Sequence, residues 1–297
     1  MWLLGVRSKI QISETSPDLI ADSNIISAEE KRPTENFFKS FDSSSDFYLG
    51  QVVKVIGISA GMETECAGTL ISSNYIITSN SCLEPIIGSG KKNNVGGDGE
   101  GYSPEELVVV NLPFLGIGNA FKVKKINFHE NYSNYTMVND ILLLKLSISL
   151  DSLYINYPKI YDAVIEKDTP LKIDGYDMNS IDKDLLLPTR RTIINTTSAS
   201  KNVCNRHLMD KKKSCIFVRN SKSICMNNRG GPVFNSETPR KLIGVISTWI
   251  PVNTHKSLNI APSYTCAANG DVIFYTLLKP YVKWLSKKTK YQEDYFN

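Results

Sequence analysis

Histidine is scarce in this chain, which has three among its 297 residues, and the chain contains no Cys-x-x-Cys pair. A zinc site is therefore not expected, and no cofactor is predicted. There is no run of about 18 apolar residues, so no transmembrane helix is predicted. The net charge of +4 is small for this length. The lysine clusters at 211–213 and 287–290 are interpreted as solvated surface rather than as a nucleic-acid or heparin site.

Cysteines are present in an even number and at wide spacing. They are Cys66, Cys82, Cys204, Cys215, Cys225 and Cys266. This pattern suits three disulfides in an oxidising compartment, although counting alone leaves the connectivity open and six buried thiols remain the alternative. Asn131, Asn134 and Asn195 each begin an Asn-x-Ser/Thr triplet, and together they indicate a secreted glycoprotein.

The first residues do not form a convincing signal peptide. The apolar stretch 1–6 is followed at once by Arg7 and Lys9, whereas a signal sequence usually needs about 7–15 apolar residues. We expect that the chain does not begin at its natural start; an unusual export route is the alternative. Residues 1–47 are largely polar without clear periodicity, which predicts a disordered extension.

Short strand-like runs follow one another from residue 48 onward. The runs 51–58, 68–71, 75–78, 121–128, 141–146, 171–176, 214–218 and 242–247 are rich in β-branched and aliphatic residues. Repeated short strands separated by turn signals predict an all-β sandwich or barrel. Near the end, Tyr281, Trp284 and Leu285 have the spacing of one helix face, and Pro280 suits the first turn of that helix.

Five blocks of the chain resemble the chymotrypsin-like (trypsin-like, S1) serine proteases, in the order of that family. Residues 66–82 are similar to its Cys-Gly-Gly-Ser-Leu-Ile…Thr-Ala-Ala-His-Cys block, and 139–146 to Asn-Asp-Ile-x-Leu-Leu-x-Leu. Residues 174–176 resemble Ser-Gly-Trp, and 225–232 resemble Cys-x-Gly-Asp-Ser-Gly-Gly-Pro. Residues 274–285 resemble Val-Tyr-Thr…Tyr-x-x-Trp-Ile.

The resemblance implies two six-stranded antiparallel β-barrels with a site in the cleft between them and a C-terminal α-helix. The expected S1-like domain covers 48–290, with a first barrel at about 48–160, a second at about 161–290, and a tail at 291–297. The resemblance also implies the disulfides Cys66–Cys82, Cys204–Cys215 and Cys225–Cys266. Each would be worth about 2–4 kcal/mol.

The family mechanism uses a serine, a histidine that takes its proton, and an aspartate that orients the histidine. Of the matching positions, Asp140 alone retains the family residue: Ser81 stands at the histidine and Arg229 at the serine. A hydroxyl is no base at neutral pH, and a guanidinium cannot attack a carbonyl. The other histidines, His129 among them, are interpreted as surface residues.

Other positions of the family site differ as well. Asn228 stands where an aspartate pairs with the new N-terminus after activation, and no activation sequence precedes Gln51. Asn227 replaces the oxyanion-loop glycine. Ser223 occupies the specificity position, which argues against a strongly anionic pocket.

The resemblance therefore predicts a non-catalytic serine protease homologue: a secreted cofactor, adaptor or decoy in an extracellular proteolytic cascade, immunity or reproductive fluid. Its partner is expected to be a protease or protease-like protein, bound through loops such as 88–101 and 249–266. The alternatives are a serine-type hydrolase with a rearranged site, for which Ser79 and Ser81 are the nearby hydroxyls, and an extracellular structural or glycan-binding module.

Arg229 carries a sharper hypothesis. An extended arginine reaches roughly 6 Å from its Cβ, enough to fill the gap that a missing imidazole leaves beside Asp140. We predict a pair between these two residues, because a partly buried lone carboxylate is costly. The alternative is that Arg229 points into solvent.

Overall fold

The computed structural model describes residues 51–59, 62–87, 108–111, 120–150, 156–176, 191–205, 210–218, 224–225, 228–250, 266–267 and 269–297. Several sequence-based predictions lie outside these residues: the extension 1–47, the loop 88–101, most of 249–266, and the individual positions Ser223 and Asn227.

The first half of the described chain forms a closed antiparallel barrel with the strand order β1-β2-β3-β6-β5-β4. Its strands are β1 Val52–Ser59, β2 Met62–Ser72, β3 Tyr75–Thr78, β4 Val108–Asn111, β5 Ala120–Phe128 and β6 Leu142–Leu146. All five of the runs predicted here become strands. The six-stranded first barrel is confirmed.

Strand β6 is buried on both faces, which explains why its sequence is a continuous aliphatic run. Leu142, Leu144 and Leu146 point into the barrel core. Leu143 packs on the opposite side, in a cluster that includes residues of the second half and of the C-terminal helix. This strand therefore ties the barrel to the rest of the molecule.

The second half forms a six-stranded antiparallel sheet with the order β8-β7-β10-β11-β12-β9. Its strands are β7 Pro170–Tyr176, β8 Arg191–Thr197, β9 Lys213–Phe217, β10 Pro232–Asn235, β11 Leu242–Ile250 and β12 Val272–Leu277. A separate apolar cluster, with Ile173, Val233 and Ile273 fully or almost fully buried, fills its inner face. Two six-stranded units in one chain are the predicted all-β architecture.

Helices are short in the described part of the chain. They are α1 Asn80–Ile87, α2 Lys201–Asn205 and α3 Val282–Thr289, with 3₁₀ turns at Lys279–Tyr281 and Glu293–Tyr295. No helix of the described residues is long and apolar enough to cross a membrane.

The predicted C-terminal helix is confirmed. Tyr281 and Leu285 are 1% and 0% exposed, and they pack against Phe234 of β10 and Leu143 of β6. Trp284 remains half-buried and borders the same cluster. The i, i+3, i+4 spacing thus predicted the buried face of α3 correctly, and this helix contacts both halves of the fold.

All three predicted disulfides form: Cys66–Cys82, Cys204–Cys215 and Cys225–Cys266. One surface prediction is wrong in part. Lys211 is exposed and Lys212 is half-buried, but Lys213 is only 8% exposed. The reason is that Lys213 begins β9, where its side chain shares a face with the buried Cys215.

Candidate functional site

The candidate site is built around Asp140, which lies just before β6 and is fully buried. Its Oδ1 accepts a hydrogen bond from the Ser81 backbone N–H at 2.8 Å, and its Oδ2 accepts the Ser81 hydroxyl at 2.8 Å. The Ser247 hydroxyl also donates to Oδ2. The two predicted triad positions Ser81 and Asp140 are therefore in direct contact.

Asn139 holds the turn that presents Asp140. Its backbone is in the left-handed region with φ of 55°, which asparagine tolerates better than most residues. Its side-chain amide donates to the Asn131 carbonyl at 2.8 Å, and its side-chain oxygen accepts the Tyr281 hydroxyl at 3.0 Å. The turn is thus fixed both to a neighbouring loop and to the start of the C-terminal helix.

The sheet of the second half completes the surroundings of Asp140. Thr276 on β12 donates its hydroxyl to the Asp140 backbone carbonyl at 3.0 Å. Lys213 on β9 donates from Nζ to the Ser247 hydroxyl at 2.7 Å. Burial lowers the pKa of Lys213, while the charges of Asp140 and Asp210 oppose that shift. Sequence reasoning missed Lys213 and Ser247, because 34 residues separate them in the chain.

The predicted ion pair between Arg229 and Asp140 is wrong. Within the described residues, the hydrogen bonds to the Asp140 carboxylate come from Ser81 and Ser247. Arg229 instead donates from Nη1 to the Ser81 backbone carbonyl at 3.4 Å, and its Nε is buried without a hydrogen-bond partner. The Ser81 and Ser247 hydroxyls, rather than a guanidinium, are the side-chain donors to this carboxylate.

Arg229 is nevertheless not a freely solvated side chain. It is only partly exposed, and burial lowers its pKa, an effect that the charges of Asp140, Tyr132 and Glu84 oppose. Tyr132, itself 3% exposed, donates its hydroxyl to Glu84 Oε2 at 2.8 Å. The guanidinium therefore lies in a partly buried setting where nearby negative charge favours its ionised form.

The loop that carries Arg229 is held by backbone hydrogen bonds to both halves of the fold. The Arg229 carbonyl accepts the N–H of Ala67 in β2 at 2.9 Å, and the Gly230 N–H donates to Ile246 of β11 at 2.7 Å. Gly230 has φ of 73°, and a Cβ there would lie 2.5 Å from the Ala67 carbonyl oxygen. Only glycine fits this position without strain.

Asn228 is buried and stabilises the same loop. Its Oδ1 accepts the Cys225 backbone N–H at 2.9 Å, and its own N–H donates to the Cys225 carbonyl at 2.9 Å. A neutral amide is thus used to close the turn next to the Cys225–Cys266 disulfide. The predicted oxyanion-loop position Asn227 and the predicted specificity position Ser223 lie outside the described residues.

The remaining predicted positions are at the surface. His129 is half-buried and contacts Tyr281 edge-to-face and Trp284 at a tilt, with ring centroids 5.4 Å away in each case. The three predicted glycosylation sites, Asn131, Asn134 and Asn195, are all exposed. Among the described residues, no cluster of histidine, cysteine, aspartate or glutamate could hold a metal ion.

Chemically, the described site offers hydroxyls and a buried carboxylate, with two cations nearby. Ser81 and Ser247 both give their protons to the same oxygen of Asp140, so the carboxylate already has its donors. Ser79 lies 3.4 Å from the Ser81 hydroxyl and is fully buried. This arrangement satisfies a buried charge within the fold.

Comparison with known proteins points to one family throughout. The model of the Trypsin family matches residues 48–285. Trypsin I-P1 of Gallus gallus is 25% identical over 228 residues, covering 74% of this chain and 77% of the relative. A trypsin of Sarcophaga bullata is 23% identical over 197 residues, covering 63% and 70%.

A solved structure supports the same fold. HL collagenase superposes with a TM-score of 0.61 at 16% identity, covering 83% of this chain and 96% of the collagenase. With two six-stranded antiparallel units, a C-terminal helix, three disulfides and a sequence match across both units, this chain belongs to the trypsin family.

Proposed function

We propose that this protein is a non-catalytic serine protease homologue that acts by binding, as a secreted cofactor, adaptor or decoy. The observation that carries the proposal is the Ser81–Asp140 contact. The hydroxyl at the predicted histidine position donates its proton to the carboxylate that would otherwise orient an imidazole. A serine in this position accepts no proton from a nucleophile at neutral pH.

Two further features support the proposal. Arg229, at the predicted nucleophile position, offers a guanidinium that cannot be deprotonated near neutral pH. The buried Asn228 side chain is occupied within its own loop and carries no charge that would bind a new N-terminus. The losses at the base, the nucleophile and the activation position are thus consistent with one another.

The proposed setting is an extracellular pathway such as a proteolytic cascade, immunity or reproductive fluid, with a protease or protease-like protein as the partner. Three disulfides and three exposed sequons favour an oxidising, secretory route. Mass spectrometry of the protein from a eukaryotic secretory host tests this setting. Glycans at Asn131, Asn134 or Asn195 are expected, and their complete absence would count against it.

The experiment for the central proposal is labelling of the purified, oxidised protein with a fluorophosphonate probe. We expect no labelled serine, while an active trypsin treated in parallel is labelled fully. Covalent label at one serine, lost when that serine is replaced by alanine, would refute the proposal. Affinity capture from the native fluid, with a reduced and unfolded sample as control, is then expected to retain a protease or protease-like protein.

A serine hydrolase with a rearranged site is the second candidate, and one observation favours it. Lys213 lies 2.7 Å from the Ser247 hydroxyl, the distance of a possible nucleophile–base pair. Ser247 is fully buried, however, and its proton goes to Asp140. If the unsubstituted protein is labelled by the fluorophosphonate, loss of that label in a Ser247→Ala variant would support this candidate. Label unaffected by the change would exclude Ser247 as the nucleophile.

A further inference from the structure

Asp140 is a fully buried carboxylate, and the hydrogen-bond donors to it among the described residues are all neutral groups: the Ser81 N–H and the hydroxyls of Ser81 and Ser247. Hydrogen bonds lower the cost of burying a charge, but such charges are normally paired with an opposite charge as well. In the family resemblance, an imidazole stands beside this aspartate. The question is which group supplies positive charge here.

Lys213 is the buried cation on the other side of the Ser247 hydroxyl. Its side chain is almost completely buried, and Nζ donates to Ser247 Oγ at 2.7 Å. A serine hydroxyl has one proton and two lone pairs. Ser247 gives its proton to Asp140 and accepts one from Lys213, so the three groups form a polarised chain from ammonium to carboxylate.

The fold places Ser247 for this bridge. The pairing of β11 with β12 shifts between Ile246 and Thr248, which leaves Ser247 as the extra residue of a β-bulge. Such bulges redirect a side chain. Lys213 pairs in β9 with Thr276 of β12, the residue whose hydroxyl binds the Asp140 carbonyl. The ammonium, the bridging hydroxyl and the aspartate are thus fixed by the same three strands.

Two other charged groups could change this assignment. Arg229 is the second nearby cation, but its side chain donates its hydrogen bond to the Ser81 carbonyl. Asp210 is the second nearby anion: its backbone carbonyl accepts the Lys213 N–H at 3.1 Å, and its Oδ2 is buried without a hydrogen-bond partner. Asp210 is therefore the rival partner of Lys213 and must be part of any test.

We infer that Lys213 is the counter-ion of Asp140, acting through the Ser247 hydroxyl, and that this bridged ion pair joins the sheet of the second half to the barrel in place of a histidine. The assignment goes beyond the proposed function and does not depend on it. It concerns the charge balance of the core, which is the same whether or not the protein has hydrolytic activity.

A double-mutant cycle tests the inference, with Lys213→Met and Asp140→Asn made singly and together in the full chain. Removing one member of a buried pair leaves the other charge uncompensated, whereas removing both does not. We expect Lys213→Met to raise the equilibrium constant of unfolding, by a factor that is at least tenfold smaller when Asp140 is already asparagine. Tenfold corresponds to about 1.4 kcal/mol. Urea unfolding followed by tryptophan fluorescence provides the measurement.

Two matched cycles serve as controls. Lys212→Met with Asp140→Asn changes the adjacent lysine, which binds Asn139 at 2.9 Å instead of Ser247, and little coupling is expected. Lys213→Met with Asp210→Asn tests the rival anion. Either of two results would overturn the inference. One is that the effects of Lys213→Met and Asp140→Asn on the free energy of unfolding are strictly additive. The other is that Lys213 couples more strongly to Asp210 than to Asp140.

The single variants could fail to yield folded protein. In that case, the yield of soluble, disulfide-bonded protein is compared with that of the double variant Lys213→Met/Asp140→Asn. Recovery in the double variant supports the bridged pair, and a yield no better than that of the singles overturns it. Fluorophosphonate labelling is not used as a readout here, so failure of this inference is distinct from failure of the proposed function.

Discussion

Replacing Gly230 with alanine tests whether the loop around Arg229 is a rigid link between the two halves of the fold. The new Cβ would overlap with Thr78 Oγ1, and it would lie 2.5 Å from the Ala67 carbonyl oxygen and 2.9 Å from the Ser79 nitrogen. Two of these three atoms belong to the backbone, which cannot move aside as a flexible side chain can.

The expected cost has two parts. A residue with a Cβ in the left-handed region costs about 1–2 kcal/mol more than glycine. Forcing a methyl group into a packed site costs about 1–3 kcal/mol more. Together they predict that Gly230→Ala lowers the free energy of unfolding by about 2–5 kcal/mol. The loss would be measured by urea unfolding, with tryptophan fluorescence and circular dichroism as two independent probes.

Gly231→Ala is the matched control in the same loop. Its Cβ would lie 2.8 Å from the Asn228 carbonyl oxygen, but its backbone is not in the left-handed region, so only the crowding cost applies. We expect a smaller loss than for Gly230→Ala. A loss below about 1 kcal/mol for Gly230→Ala, or a loss no larger than that of the control, would refute the rigid-link argument.

Three further predictions concern the charge and packing of the site and the C-terminal helix. Burial opposes ionisation of Glu130, but hydrogen bonds from Lys288, its own backbone and Trp284, with the charge of Lys288, lower its pKa to about 2. Because the folded pKa is below the unfolded one, this contribution to stability is present above about pH 4.5. It should be lost as the pH falls toward about 2, with a Trp284 fluorescence change that Glu130→Gln abolishes. Leu285→Ala should cost about 2–5 kcal/mol in urea unfolding, because its side chain is fully buried, whereas the exposed Lys283→Ala should cost little. Arg229→Ser alone should give no fluorophosphonate label, since Ser81 supplies no base; triad-type hydrolysis by that variant would contradict the proposed function.

Local patterns in the sequence predicted much of the fold. Five of the six strands of the first barrel and the C-terminal helix followed from aliphatic runs and helix spacing, whereas the disulfide pairing followed from the family resemblance. Strands β4, β8, β10 and β12 were not among the predicted runs. Pro232–Asn235 of β10, for instance, lies inside a loop motif and contributes only four residues to the sheet.

The candidate site was predictable only in part, because its members are distant in the chain. The family resemblance assigned Ser81 and Asp140 to neighbouring triad positions, but the hydrogen bond between their side chains was not predicted. Lys213 did not, since it lies in a run of three lysines that is typical of solvated surface. Only the sheet order, which places β9 and β11 on either side of β12, brings Lys213 to Ser247.

The position of Arg229 shows that the length of its side chain was not enough to predict its hydrogen-bond partner. The side chain is long enough to approach Asp140, but length does not decide between competing donors. Hydroxyls at Ser81 and Ser247 satisfy the carboxylate at a lower desolvation cost than a guanidinium would, because neither carries a charge. Arg229 instead donates to the Ser81 carbonyl, and its Nε stays buried and unpaired. Since the loop is already held by backbone hydrogen bonds to β2 and β11, we expect its structure to depend little on that side chain. Substitution of Arg229 should therefore alter the surface of the cleft more than the stability of the fold.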